Sequence, residues 1–388
     1  MTRAVAAQRR SLVGRALEVR SAVRQMDGVL LVSVALLSVF GALLVWSSTR
    51  TWAAGAPTGL INKHLFNLAV GWVLFGVVAT AETRTLHAYA PLAYLASLAG
   101  LVLVLTPVGS TINGSHSWIL LGGGFAVQPS ELAKPALILM LAMLLCRPIE
   151  GTDRPRGFDV VLSLVATAIP TALVLLQPDL GTTMVFCVIV VGVLFFSGLR
   201  KRWLALFALA GAAGAVLVWS MDVLQPYQVA RFTAFVDPSR DPRGFGYNST
   251  QSLIAIGSGE LFGKGLFRGG QTMGRFVPEQ HTDFIFTVAG EEFGFVGSLA
   301  VVLLLGTVLL RGLRIARQCE DRFGMMVAAG VVCWLAFQVF INIGMTIGIM
   351  PITGLPLPFV SYGGTATFAN MIAVGMLQAI HIRERSFR

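Results

Sequence analysis

An all-α polytopic membrane protein is the fold class this sequence predicts, and three observations carry it. The 388 residues are 55% hydrophobic and only 12% charged, too little charge to cover a soluble domain of that length. Apolar runs of roughly 18 to 20 residues recur along the chain, the length that crosses about 30 Å of hydrocarbon at about 1.5 Å per residue. The basic residues behind the net charge of +10 are distributed between connections as a topology signal, not gathered into a nucleic-acid-binding face.

About ten transmembrane helices are predicted, at 28–47, 65–81, 89–106, 131–147, 159–176, 181–197, 204–220, 284–310, 324–349 and 364–382. Residues 1–27 form a basic cytoplasmic segment; the apolar run after it is too long for an ordinary signal-peptide core, so it reads as a retained first helix. With the N-terminus inside, the inner connections hold Arg154, Arg156, Arg200, Lys201 and Arg202, then Arg311, Arg314, Arg317 and Arg322. The short outer connections and span ends hold Arg50, Lys63 and Lys134. Both termini are then cytoplasmic, and residues 28–382 form a single membrane domain followed by a short basic tail, 383–388. Cys146, Cys187, Cys319 and Cys333 lie in or beside spans without metal-ligand spacing and read as small buried residues. No period repeats, and no matching pair of broken helices marks the two halves as a transporter's inverted repeat.

The long connection between the seventh and eighth spans, about 221–283, faces outward. A structureless loop that long is uncommon in a compact domain. Its composition predicts partial folding: NSTQSLIAIG (248–257) reads as a short amphipathic helix leading into the glycine-rich SGELFGKGLFRGGQ (258–271). The loop sets Arg231, Arg240, Arg243, Lys264, Arg268 and Arg275 against Asp237, Asp241, Glu260 and Glu279, making a cationic surface beside the bilayer.

Ionisable residues near membrane depth are costly and so are functional candidates. Four clusters qualify, all predicted at the outer face. In QPSELAK (128–134), Glu131 and Lys134 share a helix face at i and i+3 behind a Ser130 cap; the bland alternative is an ion pair closing a helix end. In LLQPDLGT (175–182), Pro178 breaks the span and Asp179 sits in a very short turn, where aspartate is also common for backbone reasons. VPEQHTDFIF (277–286) packs Glu279, His281 and Asp283 at a helix start, where Asp283 is either reactive or a helix cap. MPITGLPLPFVSYGG (350–364) interrupts the apolar pattern, and irregular backbone at such depth is tolerated only where it is buried or lines a cavity. There Ser361 and Tyr362 are hydrogen-bond donors, unless the segment is simply a rigid turn. Cations around an outer-leaflet cavity suit an anionic lipid head group, above all a phosphate or pyrophosphate. A carboxylate in the same cavity suits a general base.

The order QPSELAK, QPDLGT, GYNSTQSLIAIGSGELFGKG, PEQHTDFIFTVAGEEFG and GLPLPFVSYGG resembles the SEDS proteins (shape, elongation, division and sporulation) over nearly all of the chain. The GKG at 263–265, Gln271 and TGLPLPFVSYGG resemble the elongation branch more than the division branch. The resemblance implies peptidoglycan glycosyltransfer from lipid II at the outer face of the bacterial cytoplasmic membrane, with a class B penicillin-binding protein as partner. It places the family's catalytic aspartate at Asp283. Substrate-binding positions are expected at Glu131, Lys134, Asp179 and Ser361, with Lys264, His281, Glu279, Tyr362 and Trp118 around them. The sequence departs from the family where Ser117 precedes Trp118 in place of arginine, where Thr365 and Ala366 follow SYGG, and where EEFG stands for EELG.

In that reaction the acceptor sugar 4-hydroxyl attacks the donor's anomeric carbon, with inversion, and lipid pyrophosphate leaves. The hydroxyl needs a base, here Asp283. The leaving group needs no proton, unlike a glycosidase's. It needs charge stabilisation, from Lys134, Lys264 or a divalent cation such as Mg or Mn; no cofactor is otherwise assigned, and Glu279 and His281 are expected to orient Asp283 or hold a metal. Two rivals stand beside this reading. A lipid II flippase would need charged residues in mid-span, whereas these collect at one face; a scaffold for the crosslinking enzyme would not need Asp283, Glu131 and Lys134 at one cavity.

Overall fold

The computed structural model describes residues 25–50, 58–112, 115–122, 125–146, 155–199, scattered positions within 203–220, and 226–387. Among them are seven helices long and apolar enough to cross a membrane: α1 Gly28–Thr49, α2 Gly59–Ala79, α3 Thr83–Val104, α5 Gly157–Leu175, α10 Ile285–Gln318, α11 Arg322–Thr346 and α12, which begins at Gly364. The shorter α4 Pro129–Leu145 and α6 Leu180–Phe196 complete the bundle. The predicted span at 204–220 and the basic segment before residue 25 lie largely outside the described residues.

Helices α11 and α12 form the axis of the bundle. Trp334, Leu335 and Met345 on α11, and Met371, Val374 and Leu377 on α12, are almost wholly buried. Around them α12 packs on α2, α10 on α1 and α11, and α6 on α11. The outward faces keep large apolar side chains exposed, such as Val73, Leu92 and Leu303, as surfaces in contact with lipid do.

Between α3 and α4 the chain forms a three-stranded antiparallel sheet that the sequence reading left as a loop: β1 Gly109–Ile112, β2 Ser115–Gly122 and β3 Phe125–Val127. The signal was present, because Asn113-Gly114 between alternating residues is a strong two-residue hairpin cue. Trp118 pairs with Ser110 across β1 and β2.

The long outer connection is partly folded, as expected. It contains α7 Pro226–Val236, a 3-10 turn Pro238–Arg240, α8 Phe245–Ser258 and the short α9 Gly270–Gly274. Its glycine-rich part is sewn into a break in α10 at Gly294, where φ is 64° and ψ −161°. A broken helix strands four backbone groups in a setting without water. Here the loop satisfies them. Phe295 and Val296 N–H donate to the Glu260 and Leu261 carbonyls at 2.9 and 3.1 Å, while Lys264 and Gly265 N–H donate to the Glu291 and Glu292 carbonyls at 3.0 Å each. The approach is too close for side chains: a Cβ on Gly294 would lie 2.3 Å from the Gly263 nitrogen, and one on Gly263 2.1 Å from the Glu292 carbonyl oxygen. Glu291 then organises the rest of the loop, accepting from Gln271 N and Thr272 N at 2.8 Å, Thr272 Oγ1 at 2.7 Å and Lys264 Nζ at 3.3 Å.

Candidate active site

Asp283 lies two residues before the start of α10. It is not the helix cap: Phe284 holds that position, with no side-chain cap bond. Three neighbours fix the backbone at and just before it. Asn342 Nδ2 donates to the Asp283 carbonyl at 2.8 Å and to the Leu355 carbonyl at 2.7 Å. Ser361 Oγ donates to the Thr282 carbonyl at 2.6 Å and accepts from Leu357 N at 2.8 Å. Tyr362 N–H donates to the His281 carbonyl at 2.9 Å. The HTDF and GLPLPFVSYGG stretches, some seventy residues apart, thus form one layer. Gln338 supports it from beneath, accepting from Trp334 Nε1 and donating to the Pro356 carbonyl, both at 2.7 Å.

Helix α7 closes the other side. Tyr227 Oη donates to the Pro178 carbonyl at 2.5 Å. Arg231 donates to the Thr353 carbonyl at 3.1 Å, and its guanidinium lies 5.6 Å from the Tyr227 ring and 5.1 Å from the Phe245 ring. Gly354, at φ 78°, marks where the walls meet: a Cβ there would sit 3.5 Å from Asp283 Oδ2 and 4.0 Å from Arg231 Nη2. Asp283 is half-buried and poorly solvated. That desolvation first, and the Glu279 carboxylate second, push its carboxyl up to about 7, while Arg231 pulls the other way. Glu279 is held in the left-handed region, at φ 52°, which few non-glycine residues occupy. The turn lets its carbonyl accept from Thr282 and Phe284 N–H at 3.2 Å each. His281 is buried, its ring 5.6 Å from that of Tyr362. Burial holds its imidazole below the ordinary value, although Glu279 acts in the opposite sense.

The remaining expected site residues divide. Asp179 does reach the site, and its charge acts on Asp283. It also caps α6, accepting from Thr182 N at 3.0 Å and Thr182 Oγ1 at 2.7 Å, and it takes Gln128 Nε2 at 3.3 Å. Gln128 N–H donates to Thr365 Oγ1 at 3.0 Å, so the departure after SYGG has a role in tying three clusters together. Lys134 requires a correction. It was expected at the cavity lip, but it is wholly buried, 2.5 Å from Glu131 Oε1 and 5.5 Å from the Trp334 ring. The pair lies below the site because the first turn of α4 faces α11. Ser130 is not the cap either; Gln128 is. Lys264, partly exposed, directs its ammonium to Glu291 within the loop at 3.3 Å. Trp118 remains on the sheet beside Ser117, which is buried and accepts from Ser115 Oγ at 3.0 Å. Among the described residues no three His, Cys, Asp or Glu side chains converge as metal ligands.

Three contributors escaped the sequence reading. Arg231 was one loop cation among six, with nothing local to single it out. Gln338 and Asn342 did leave a signal: two amides four residues apart, on the face of Trp334, inside an apolar span.

A broken-helix bundle of apolar spans with its ionisable residues gathered towards one end defines a class: polytopic helical membrane proteins. The family follows from comparison. A family described as cell cycle protein, FtsW/RodA/SpoVE, matches residues 28–386, and the chain belongs to it. The chain is 38% identical over 360 residues to the peptidoglycan glycosyltransferase MrdB of Escherichia coli K12, covering 93% of this chain and 94% of that protein. It is 36% identical to stage V sporulation protein E of Bacillus subtilis, covering 90% and 95%. The crystal structure of the Thermus thermophilus rod shape determining protein RodA superposes with a TM-score of 0.67 at 32% identity, over 92% of this chain and 96% of that one. A chain from a structure of a peptidoglycan synthase complex that coordinates polymerization and crosslinking gives 0.76 at 34% identity, over 92% and 98%.

Proposed function

We propose that this chain polymerises lipid II into glycan strands at the outer face of the membrane during cell elongation, with Asp283 as the general base. The chain is a peptidoglycan glycosyltransferase of cell-wall synthesis and a multi-pass protein of the bacterial inner membrane. The observation that carries the finer reading is the Asp283 carboxyl, raised to about 7 beside Arg231 at the outer end of the bundle. A base is most effective when its pKa lies near the working pH.

In the proposed step, the Asp283 carboxylate takes the proton of the acceptor's 4-hydroxyl. The oxygen forms a bond to the donor's anomeric carbon as the bond from that carbon to the pyrophosphate oxygen breaks. Pyrophosphate leaves on its lipid, and the configuration inverts. Arg231 supplies positive charge to the departing phosphates, a fixed donor needing no reorganisation. Asp179, Glu279, His281, Ser361 and Tyr362 shape and orient the cavity. Glu131 and Lys134 act from beneath, through Gln128 and α11. A class B penicillin-binding protein is the proposed partner, in keeping with the synthase complex to which one structural neighbour belongs.

The test uses purified wild type and Asp283→Asn, each with the cognate penicillin-binding protein, given lipid II and read for polymer on a gel. Polymer from wild type and none from a folded, partner-bound Asp283→Asn supports the assignment. Equal polymer from both moves the base elsewhere, Asp179 first. Polymer from neither favours lipid transport.

A further inference from the structure

The proposed reaction makes no use of His64, on α2. Its ring is wholly buried, and neither Nδ1 nor Nε2 has a hydrogen-bond partner. Gln338 and Asn342, equally buried in α11, make two bonds each. Inside a membrane bundle an unpartnered polar group carries a free-energy cost that phenylalanine or leucine would not. A histidine held there calls for a partner that arrives from elsewhere.

The packing of α2 fixes where that partner enters. Glycines close the seam between α2 and α12: a Cβ on Gly71 would lie 3.0 Å from Met371 Cγ, and one on Gly375 3.0 Å from the Phe75 carbonyl oxygen. Asn67, one turn below His64, stands against Gly364 at the start of α12, where a Cβ would lie 3.2 Å from its Nδ2. His64 is therefore held in place, and its ring faces Tyr362, with 5.8 Å between centroids and planes at 41°. Tyr362 is half-buried, and it also meets His281, at 5.6 Å and 42°. The phenol thus separates His64 from the HTDF stretch. The backbone of Tyr362 is tied to that stretch by its N–H bond to the His281 carbonyl, so the ring can turn about its side-chain bonds while the main chain stays in place. Such a turn uncovers the imidazole. A neutral imidazole presents one donor and one acceptor, and an amide presents the reciprocal pair.

We propose that His64 is a substrate-binding residue screened by Tyr362: when the phenol turns aside, the imidazole takes an amide of the substrate, one bond to each nitrogen. This assignment deepens, and rests on, the reading of lipid II as substrate. Lipid II carries amides in two places, the acetamido groups of its sugars and its stem peptide. Binding of lipid II to the full chain with its partner is measured in the Asp283→Asn background, where the proposed base is gone. His64→Phe keeps a ring and should weaken binding roughly tenfold, the usual contribution of a hydrogen bond or two, without lowering the melting temperature. His64→Gln, which restores a donor and an acceptor, should recover most of the affinity. If His64→Phe folds poorly, His64→Leu is read against His64→Gln in the same way. Two analogues identify the source, lipid II without its stem peptide and lipid II with unacetylated amino sugars. The one lacking the amide that His64 holds should bind weakly and be indifferent to His64→Phe. Tyr362→Ala should speed carbethoxylation of His64 by diethyl pyrocarbonate, read by peptide mass spectrometry, and lipid II should suppress it. Unchanged affinity in His64→Phe, or His64 reactivity that Tyr362→Ala leaves unchanged, overturns the proposal. So does an equal loss of affinity in Tyr362→Phe, which would make the phenol hydroxyl an internal partner. No binding of lipid II by the background chain overturns the functional reading and this assignment together.

Discussion

Two aspartates stand immediately before long helices at opposite faces of this bundle, and their fates differ. Asp27, on the inner face, is buried, which by itself would raise its pKa. Arg311 nevertheless holds it below the ordinary carboxylate range, by a hydrogen bond and by charge, together with the Leu30 N–H at 3.0 Å. Gln378 closes the latch: its Oε1 accepts from Asp27 N at 2.9 Å and its Nε2 donates to the Asp27 carbonyl at 3.0 Å. Asp283, on the outer face, has a nearby arginine too. That arginine already donates to the Thr353 carbonyl, and desolvation first and the nearby Glu279 carboxylate second push the carboxyl up to about 7. The same side chain is thus a structural anion at one face and, in the proposed reaction, the base at the other. What separates them is how far each carboxylate is desolvated and whether the neighbouring guanidinium is aimed at it.

The comparison breaks most directly by removing each carboxyl. Asp283→Asn should lower glycan polymerisation by about 10² to 10⁴, the usual value of a positioned base, while Asp27→Asn should leave the turnover of folded protein near wild type. Initial rates on lipid II at matched folded concentration decide it. In stability the order reverses. Asp27→Asn should cost roughly 3 kcal/mol, the low end for one partner of a buried pair, because Arg311 keeps some contact with water. Denaturation in detergent, followed by tryptophan fluorescence, measures this.

The pH profile sharpens the contrast. If Asp283 must be ionised, kcat/KM should rise through an acid limb near pH 7, the value its surroundings impose. Glu279→Gln should move that limb down and Arg231→Gln should move it up, each by about one unit, the lower end for a nearby charge. Asp27→Asn should not move it. A limb that stays near pH 4 in wild type would show that Asp283 is not the group being titrated.

The smallest effect concerns the cost of keeping the Asp283 carboxyl poorly solvated. The folded pKa of Asp283 exceeds its ordinary value of 3.8. Its contribution to stability is therefore complete below about pH 4 and is lost as pH rises through 7. At pH 8 the ionised carboxylate opposes folding, so Asp283→Asn should melt about 2–4 °C above wild type, with the gain shrinking at pH 5. A variant that melts lower at both values would mark Asp283 as structural, like Asp27.

Sequence alone determined the class, the inside-out orientation, the outer-face clustering of ionisable residues and the candidacy of Asp283. Hydrocarbon imposes a span length and a charge asymmetry that composition cannot hide, and an aspartate with a histidine at a span's lip is conspicuous for the same reason. Even the sheet at 109–127 was announced by Asn113-Gly114. Tertiary structure alone decided which charges meet. Glu131 and Lys134 are three residues apart, yet only the packing of α4 against α11 shows that they face inward, away from the cavity lip. Lys264 and Arg231 are equivalent loop cations in sequence; the break at Gly294 turns one towards Glu291, while α7 carries the other to Gly354 and Asp283. Partner choice among charges depends on contacts between segments far apart in the chain, and no local pattern encodes which carboxylate a given cation will face.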